Sequence, residues 1–358
     1  MNNYQIILNA FRNKKVFLTG HTGFKGSWML AILKLLSAQV KGYALEPEEE
    51  PSMFNLINGE SLCNSIIADI RDREKLEKEL LDFQPDFIFH FAAQSLVRMS
   101  YQLPVETFEV NMLGTAKLLD AARKLEKPCN IIIITTDKVY ENKEMDYAYK
   151  EDDKLGGFDP YSSSKACAEI VTASYRLSFF NPGDYDSHLK SIATARSGNV
   201  IGGGDWAKDR IVPDIVRSLN AVEPLKVRNP KATRPWQYVL EPLSGYLFLG
   251  AKMQENPVGF ADSYNFGPYP DDELSVEELV KISLDHWGSG VYEKANSHDE
   301  PHEAGLLKLD ITKALNKLGW KPKLKSREAI AKTVNWYRNY HQNPLEYTER
   351  QVKEYFEL

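Results

Sequence analysis

Short apolar runs alternate with amphipathic stretches along the first half of the chain. The apolar runs cover residues 15–19, 40–45, 65–68, 86–90, 131–135 and 191–196, and their composition favours strands. Helical periodicity is visible between them, at residues 27–36, 72–83, 110–125 and 163–179. Parallel strands need crossover connections, so this alternation predicts a doubly wound α/β fold, with a parallel sheet and helices on both faces.

The pattern changes after residue 196. Glycine, proline and tryptophan cluster in residues 198–206 and again in 229–236, and the regular segments between them are shorter. The chain has 358 residues, which at roughly 150 residues per domain suggests two units. We expect a nucleotide-binding domain over residues 1–195 and a smaller substrate-binding domain over 196–358, with some later segments returning to the first domain.

Composition excludes several classes of protein. The three cysteines are far apart without a Cys-x-x-Cys pair, which argues against a disulfide framework and a zinc site and favours a reducing, cytoplasmic location. His298 and His302 are spaced like metal ligands, but Pro301 between them disfavours the helix that would align them, so no metal is expected. A net charge of -6 disfavours nucleic acid as a partner. No apolar run approaches the roughly 18 residues of a membrane span, so no membrane partner is expected.

A glycine fingerprint follows the first predicted strand. Gly20, Gly23 and Gly26 are spaced by three, between a strand and a helix, where glycine allows a tight turn and lets backbone N–H groups approach a pyrophosphate. A P-loop is excluded because Lys25 precedes Gly26 instead of following it, and a glycine-rich turn without a ligand is the remaining alternative. This spacing resembles the extended short-chain dehydrogenase/reductase family, which implies a Rossmann domain that binds a dinucleotide through this loop and Phe24.

The resemblance extends the cofactor site to neighbouring strand ends. Glu46 is the candidate for the ribose, and the absence of arginine at that turn favours NAD over NADP. Asp69 and Ile70 would lie beside the adenine, although Asp69 could instead be the N-cap of the helix at 72–83. Ala92 and Ala93 would complete the cofactor side.

Tyr161 and Lys165 form a Tyr-x-x-x-Lys pair at a predicted helix start. The spacing puts both side chains on one helical face. A neighbouring ammonium and a cationic nicotinamide would stabilise the tyrosine phenolate, so that it can take a hydroxyl proton near neutral pH. An ordinary surface pair is the alternative reading.

Thr136, Asp137 and Lys138 directly follow the strand at 131–135, at the edge where ligands bind to parallel sheets. A carboxyl behind the threonine resembles the sugar-nucleotide 4,6-dehydratases, whose usual triplet is Thr-Asp-Glu. The lysine form resembles the CDP-glucose 4,6-dehydratase branch of that family. A solvated ion pair in a loop is the alternative for Asp137 and Lys138.

Other stretches across most of the chain carry the same resemblance. Tyr238 departs from it, because histidine is expected there. The matching stretches are His-Thr-Gly-Phe-Lys-Gly-Ser-Trp at 21–28, Ala-Ala-Gln-Ser-Leu-Val-Arg at 92–98, Gly-Asn-Val-Ile-Gly-Gly-Gly-Asp-Trp at 198–206 and Arg-Pro-Trp-Gln at 234–237.

The resemblance also implies a substrate side. Gln94 and Arg98 would line the sugar pocket, Asn111 would support the active site, and the segment 302–305 would approach the nucleotide. A basic run close to Trp236 could bind a pyrophosphate or could be a solvated face. The candidates are Lys226, Arg228, Lys231 and Arg234, together with Asn199 and Arg210 from the preceding segment.

The mechanism implied by the family is oxidation, elimination and reduction. Tyr161, with Thr136 and Lys165, would take the proton of the 4-hydroxyl while NAD takes the hydride from carbon 4. Lys138 would then remove the proton on carbon 5 while Asp137 protonates the departing 6-hydroxyl, and the hydride would return to carbon 6. For this, Lys138 must be neutral and Asp137 protonated, or the two side chains must exchange a proton as a coupled pair.

Alternative functions remain at this stage. The chain could be a GDP-, dTDP- or UDP-hexose dehydratase, a sugar-nucleotide epimerase, or a catalytically silent NAD-binding regulator. The family also implies a homodimer, formed by the helices near 115–124 and 163–179.

Overall fold

A parallel sheet of seven strands forms the centre of the computed structural model, which describes residues 3–294 and 306–358. Hydrogen bonds order the strands β7-β6-β5-β4-β1-β2-β3, and every neighbouring pair is parallel. The doubly wound α/β fold that the sequence predicts is confirmed. The strands are β1 (Lys15–Thr19), β2 (Gln39–Ala44), β3 (Asn64–Ile67), β4 (Phe87–His90), β5 (Cys129–Ile134), β6 (Lys190–Arg196) and β7 (Ser263–Asn265).

Both faces of the sheet are buried. Val16 and Leu18 belong to one apolar cluster, and Phe17 between them belongs to another. Successive side chains of a strand point to opposite faces, so each face is covered by its own layer. The α-helices are α1 (Asn3–Phe11), α2 (Phe24–Leu35), α3 (Met53–Leu56), α4 (Arg73–Phe83), α5 (Val97–Gln102), α6 (Pro104–Phe108), α7 (Gly114–Ala122), α8 (Pro160–Ser178), α9 (Tyr185–His188), α10 (Ile211–Ala221), α11 (Leu240–Glu255), α12 (Val276–Trp287), α13 (Ser326–Asn339) and α14 (Pro344–Phe356).

The direction of strand succession reverses between β1 and β4, which lie side by side in the middle of the sheet. In open α/β sheets, ligands bind in the crevice beyond the carboxyl ends of the strands at such a reversal. The loops that follow β1, β4 and β5 therefore surround the expected site.

The helix after β4 and the last strand of the sheet differ from the prediction, whereas the start of α8 agrees with it. The helix expected at 110–125 instead starts at Pro104 and contains a π-helical turn, Glu109–Leu113, before α7. Helix α8 starts at Pro160 because the side chain of Asp159 accepts a hydrogen bond from the backbone N–H of Ser162 at 2.9 Å. The seventh strand, β7, was not expected, and it pairs with β6 from far along the chain.

Short strand pairs build the remainder of the molecule. Val200–Ile201 pairs with Gln237–Tyr238, Thr233–Arg234 with Leu274–Ser275, and Leu225–Val227 with Tyr292–Lys294. Ala148–Tyr149 pairs with Lys308–Leu309. Because β7 returns to the central sheet, the chain beyond residue 196 contributes to both parts, and a division near residue 195 stays a prediction.

Several expectations concern groups outside the sheet. Among the described helices, none has the length and apolar character needed to cross a membrane. Residues 3–294 and 306–358 contain no cluster of three His, Cys, Asp or Glu side chains suited to a metal ion. Cys63, Cys129 and Cys167 are all free thiols. His298, His302 and the segment 302–305 lie outside the described residues.

Candidate active site

The glycine loop between β1 and α2 needs glycine for steric reasons. Gly20 has a φ of +72°, and a Cβ there would lie 2.7 Å from the backbone nitrogen of Ala92. A Cβ on Gly26 would lie 2.1 Å from the carbonyl oxygen of Gly20. Gly23 is the N-cap of α2 and makes no side-chain cap, so the first N–H groups of that helix stay available. The loop thus fits the diphosphate of a dinucleotide, which a helix N-terminus attracts.

The ends of β2 and β3 place the adenosine candidates. Glu46 is exposed just beyond β2. Asp69 is bound by its neighbour Arg71, whose guanidinium lies 2.7 Å from the Asp69 carboxylate, and this hydrogen bond lowers the pKa of that carboxyl. The N-cap of α4 is Asp72, which accepts from the backbone N–H of Lys75, so the alternative that Asp69 caps this helix is wrong. Ile70 is buried and faces Gly114.

Helix α8 presents Tyr161 and Lys165 at the end of β5. The ammonium of Lys165 donates to the carbonyl of Ile134, the last residue of β5, at 3.1 Å. Burial raises the pKa of Tyr161 to about 12, although a hydrogen bond with Thr136 acts in the opposite direction. Burial lowers the pKa of Lys165 to about 8, partly opposed by Glu169. Burial therefore brings both groups closer to their neutral forms.

The triplet Thr136, Asp137 and Lys138 leaves β5 in a single helical turn. Thr136 is the N-cap of this turn and accepts from the backbone N–H of Lys138 at 3.4 Å. The Asp137 carboxylate is only 1% exposed and accepts from the hydroxyl of Thr136 at 2.9 Å and from the amide of Asn199 at 3.3 Å. A Cβ on Gly198 would lie 1.9 Å from that carboxylate, so glycine is required there.

These side chains share a cavity of about 590 Å³. Its lining contains all three residues of the triplet and Tyr161, so the structure brings together the groups that the sequence placed far apart. Phe24, Arg98, Asn199, Arg210, Lys226, Arg228, Arg234 and Trp236 also line it.

Three arginines on the basic side of this cavity are paired with carboxylates. Arg228 lies 3.1 Å from Asp209, and Arg98 lies 3.8 Å from the same carboxylate. Arg210 contacts Asp205 at 3.0 Å. An anion that binds at this end of the cavity would therefore share these arginines with carboxylates of the protein.

Two predicted residues, Gln94 and Lys231, and the position where histidine was expected lie outside the cavity lining. The side chain of Gln94 turns into its own loop, donating to Thr107 at 2.9 Å and accepting from the backbone N–H of Leu96. Lys231 is exposed and is not part of the cavity lining. The hydroxyl of Tyr238 donates to Gln351 at 2.7 Å within the interior, so its departure from histidine does not alter the cavity.

Asn111 supports the site from the π-helical turn. Its amide accepts from the backbone N–H of Gln94 and donates to the carbonyl of the same residue, both at 2.9 Å. It also donates to the hydroxyl of Ser164 on α8 at 2.8 Å. Asn111 thereby ties the loop after β4 to the helix that carries Tyr161, and the π turn is the local distortion that accompanies this contact.

Sequence reasoning missed several groups in the cavity, among them Lys25 and Asp209. Lys25, inside the glycine fingerprint, lines it, and burial together with Lys165 and Arg210 lowers the pKa of Lys25 to about 7. Asp209 carries a φ of +63° and sits between Arg98 and Arg228. The fingerprint placed Lys25 near the cofactor loop, but no sequence signal indicated the pairing of Asp209.

A second buried polar cluster lies beside the end of β5. The carboxylate of Glu169 is 2.9 Å from the guanidinium of Arg196, in a pair that is almost fully buried. Thr135 donates to Glu169 at 2.5 Å and Thr194 at 2.8 Å. Arg196 also donates to the hydroxyl of Tyr140 at 2.8 Å. These contacts join α8 to β5 and β6.

Comparisons with known proteins place this geometry in a family. The profile of the family described as GDP-mannose 4,6-dehydratase matches residues 17–333. A protein of Salmonella typhimurium named CDP-glucose 4,6-dehydratase is 43% identical over 349 residues, 97% of each chain. A mouse protein named dTDP-D-glucose 4,6-dehydratase is 26% identical and covers 92% of this chain and 90% of its own length.

A solved structure has the same fold. The dTDP-glucose 4,6-dehydratase of Streptomyces venezuelae, with NAD and TYD bound, has a TM-score of 0.76 at 24% identity and covers 92% of this chain and 99% of its own. The sequence match extends over nearly the whole length, and the resemblance stated from the motifs is confirmed. The chain therefore belongs to the GDP-mannose 4,6-dehydratase family.

Proposed function

We propose that this chain is a NAD-dependent sugar-nucleotide 4,6-dehydratase that converts CDP-glucose to CDP-4-keto-6-deoxyglucose and water. The observation that carries the proposal is the cavity where Tyr161, Asp137 and Lys138 meet, because an oxidation needs only the tyrosine whereas an elimination needs a further acid and base. The relative with 43% identity over 97% of the chain bears the name CDP-glucose 4,6-dehydratase, which supports the choice of substrate.

The residues around the glycine loop would hold the NAD. Gly20, Gly23 and Gly26 leave the room that a diphosphate needs, and Phe24, Asp69, Ile70, Ala92 and Ala93 are the other candidates. A bound NAD would supply the positive ring that stabilises a phenolate and the carbon that accepts and returns a hydride.

Tyr161 would hold and move the proton of the 4-hydroxyl. Because burial raises the pKa of its phenol to about 12, its ionised form needs stabilisation by the Thr136 hydroxyl and by positive charge. Lys165 would supply part of that charge when protonated, and its contact with the Ile134 carbonyl fixes its position beneath the cavity.

Asp137 and Lys138 would carry out the elimination. A protonated Asp137 would donate to the departing 6-hydroxyl, and its contacts with the Thr136 hydroxyl and the Asn199 amide hold the carboxyl in place. Lys138 would remove the proton from carbon 5 and later return it to the same carbon. The basic groups Arg98, Arg210, Arg228 and Arg234, together with Asn199, would bind the pyrophosphate.

The test is incubation of the purified protein with CDP-, dTDP-, GDP- and UDP-hexoses, followed by mass spectrometry. We expect loss of one water from CDP-glucose, at a higher kcat/KM than for the other nucleotides. A product of unchanged mass would instead indicate an epimerase, and absence of turnover with every substrate would indicate a silent dinucleotide-binding protein.

We further propose a homodimer formed through α7 and α8. Ile170 and Leu177 lie seven residues apart on α8 and are 57% and 68% exposed, so they form an apolar stripe on one face of that helix. Light scattering should report a dimer, and Ile170→Asp combined with Leu177→Asp should give a monomer.

The free thiols of the three cysteines support the cytoplasm as the location we propose.

A further inference from the structure

The proposed dehydration leaves on Tyr161 a proton that the next turnover requires on Asp137. Tyr161 gains the proton of the 4-hydroxyl, and Asp137 loses a proton to the departing water. Lys138 gains and returns the proton of carbon 5, and the hydride leaves carbon 4 and arrives at carbon 6, so neither changes the balance. After each turnover, a proton must therefore move from Tyr161 to Asp137 before the next substrate can react.

One hydroxyl connects these two groups. Thr136 and Tyr161 line the same cavity, where the Thr136 hydroxyl opposes the rise in the pKa of Tyr161, and that hydroxyl donates to an oxygen of the Asp137 carboxylate at 2.9 Å. A hydroxyl can accept one proton and donate another, so Thr136 can pass a proton from Tyr161 to Asp137. The backbone N–H of Lys138 donates to the same hydroxyl oxygen at 3.4 Å and helps to hold it in place.

The surroundings make Asp137 difficult to reach from outside. Its carboxylate is 1% exposed, Tyr161 is 9% exposed, and Gly198 packs directly behind the carboxylate. A second, water-sized cavity touches Asp137 from another side and is lined by Gln237, Glu273 and Lys308. That cavity and the active-site cavity itself, which Asp137 also lines, are the competing routes by which a proton could arrive.

We propose that Thr136 is the internal proton relay that resets the enzyme between turnovers. In the reset, the O–H bond of Tyr161 breaks as its proton joins the oxygen of Thr136, while the proton of Thr136 passes to the Asp137 carboxylate. No electron is transferred and no co-reactant is consumed. This role rests on the proposed function, and it differs from assistance to the first proton transfer because it acts only after the product has formed.

The experiment compares a single turnover, with enzyme in excess, with the steady state for Thr136→Val and Thr136→Ser. Valine has the shape of threonine but no hydroxyl. In T136V we expect a burst of one product per active site followed by a slow phase, with the ratio of steady-state to single-turnover rate at least ten-fold below the wild type. T136S should keep the wild-type ratio, and a small protonated buffer such as imidazolium should accelerate the slow phase of T136V.

Equal decreases of both rates in T136V, without a burst, would overturn the relay. If T136V gives no product even in a single turnover, the same ratio is compared between Thr136→Ala and T136S, and equal ratios would overturn it. Lys308→Met removes the ammonium that lines the water-sized cavity and should leave the ratio unchanged, whereas a decrease in K308M but not in T136V would assign the reset to that cavity. Absence of dehydration by the wild type would instead reject the proposed function itself.

Discussion

Two buried carboxylates near the end of β5 have different kinds of partner, one charged and one uncharged. Thr135 and Thr136 are adjacent in sequence, yet Thr135 donates to Glu169 and Thr136 donates to Asp137. Glu169 also contacts the guanidinium of Arg196 and a second threonine hydroxyl, whereas the other hydrogen bond to Asp137 comes from the uncharged amide of Asn199.

The comparison shows that the partners of a buried carboxyl determine whether it contributes to stability or to catalysis. A carboxylate that faces a buried cation stays ionised and joins structural elements, because its protonation would leave the cation uncompensated. A carboxyl whose hydrogen-bond donors are uncharged holds no buried ion pair together, so it is available for chemistry. We therefore expect changes at the cavity to affect activity and changes at Glu169 to affect stability.

The largest effect is expected for Tyr161→Phe. Removal of the phenol hydroxyl abolishes the proton transfer that starts the reaction, so kcat should fall by about 10⁴-fold, at the upper end for a general base. Product formation is measured by mass spectrometry. Tyr175→Phe, on the same helix but outside the cavity lining, is the matched control and should keep kcat within about two-fold. Wild-type turnover in Y161F would contradict the assignment.

Asp137→Asn should lower kcat by about 10³-fold while leaving the free energy of unfolding within about 1 kcal/mol. Asparagine can still accept from Thr136 but cannot protonate the departing hydroxyl. Exchange of the proton on carbon 5 with deuterated water should persist in D137N although water loss stops. Asp262→Asn, at an ion pair with Lys313 outside the cavity lining, serves as control. Equal loss of exchange and elimination in D137N would show that Asp137 does not act as the acid.

Glu169→Gln should reduce the free energy of unfolding by about 3–5 kcal/mol, because it leaves Arg196 buried without its counterion. Urea denaturation measures this change. The double variant Glu169→Leu with Arg196→Met removes both charges and should be less destabilised than E169Q. A loss below about 1 kcal/mol in E169Q would mean that this pair does not anchor α8.

The pH dependence of stability should reveal the same pair. Burial alone would raise the pKa of Glu169, but Arg196 and the threonine hydroxyls bring it below the ordinary value of 4.5. A lowered folded-state pKa stabilises the protein above pH 4.5, and this contribution is lost as the pH falls through the folded-state pKa. The difference in unfolding free energy between wild type and E169Q should therefore stay constant from pH 7 to about pH 5 and narrow below pH 4.5, as the pH falls through the folded-state pKa of Glu169. An unchanged difference would contradict an ionised Glu169.

The smallest effect is expected at the basic end of the cavity. Asp209 is half-exposed and competes with the substrate pyrophosphate for Arg98 and Arg228, so Asp209→Asn should lower KM with kcat unchanged. An exposed pair contributes about 0.2–1 kcal/mol, which limits the change to about five-fold, and salt should reduce it further. Asp120→Asn, which also disturbs two arginine contacts but on a helix outside the cavity lining, is the control. A raised KM in D209N would mean that Asp209 orders these arginines for the substrate.

The sequence predicted the elements whose pattern is local. The first six strands and the glycine loop follow from short apolar runs and from glycine spacing, and the start of α8 follows from Asp159 and Pro160. Strand β7 escaped prediction because Ser263–Asn265 has only three residues and acquires its strand character from pairing with β6. The π turn at Glu109–Leu113 escaped because it depends on contacts of Asn111 with a distant loop and helix.

Residues of the candidate site could be predicted where they lie near the end of a strand or the start of a helix. Thr136 and Tyr161 each directly follow such a boundary, and the structure brings both to one cavity. The orientation of Gln94 could not be read from sequence, because its side chain forms hydrogen bonds within its own loop. The pairing of Asp209 with Arg98 could not be predicted either, because these two residues are more than a hundred positions apart in the sequence.

Strand β7 comes late in the sequence but pairs with β6 in the central sheet, which has consequences for truncated and nascent chains. Until Ser263–Asn265 has been synthesised, β6 has a partner only on its β5 side, and its other side offers unpaired N–H and C=O groups. Such an open strand edge readily recruits a strand from another chain. A nascent or proteolysed chain that ends before residue 263 should therefore self-associate, even though all residues of the catalytic triplet and of the nucleotide loop are already present.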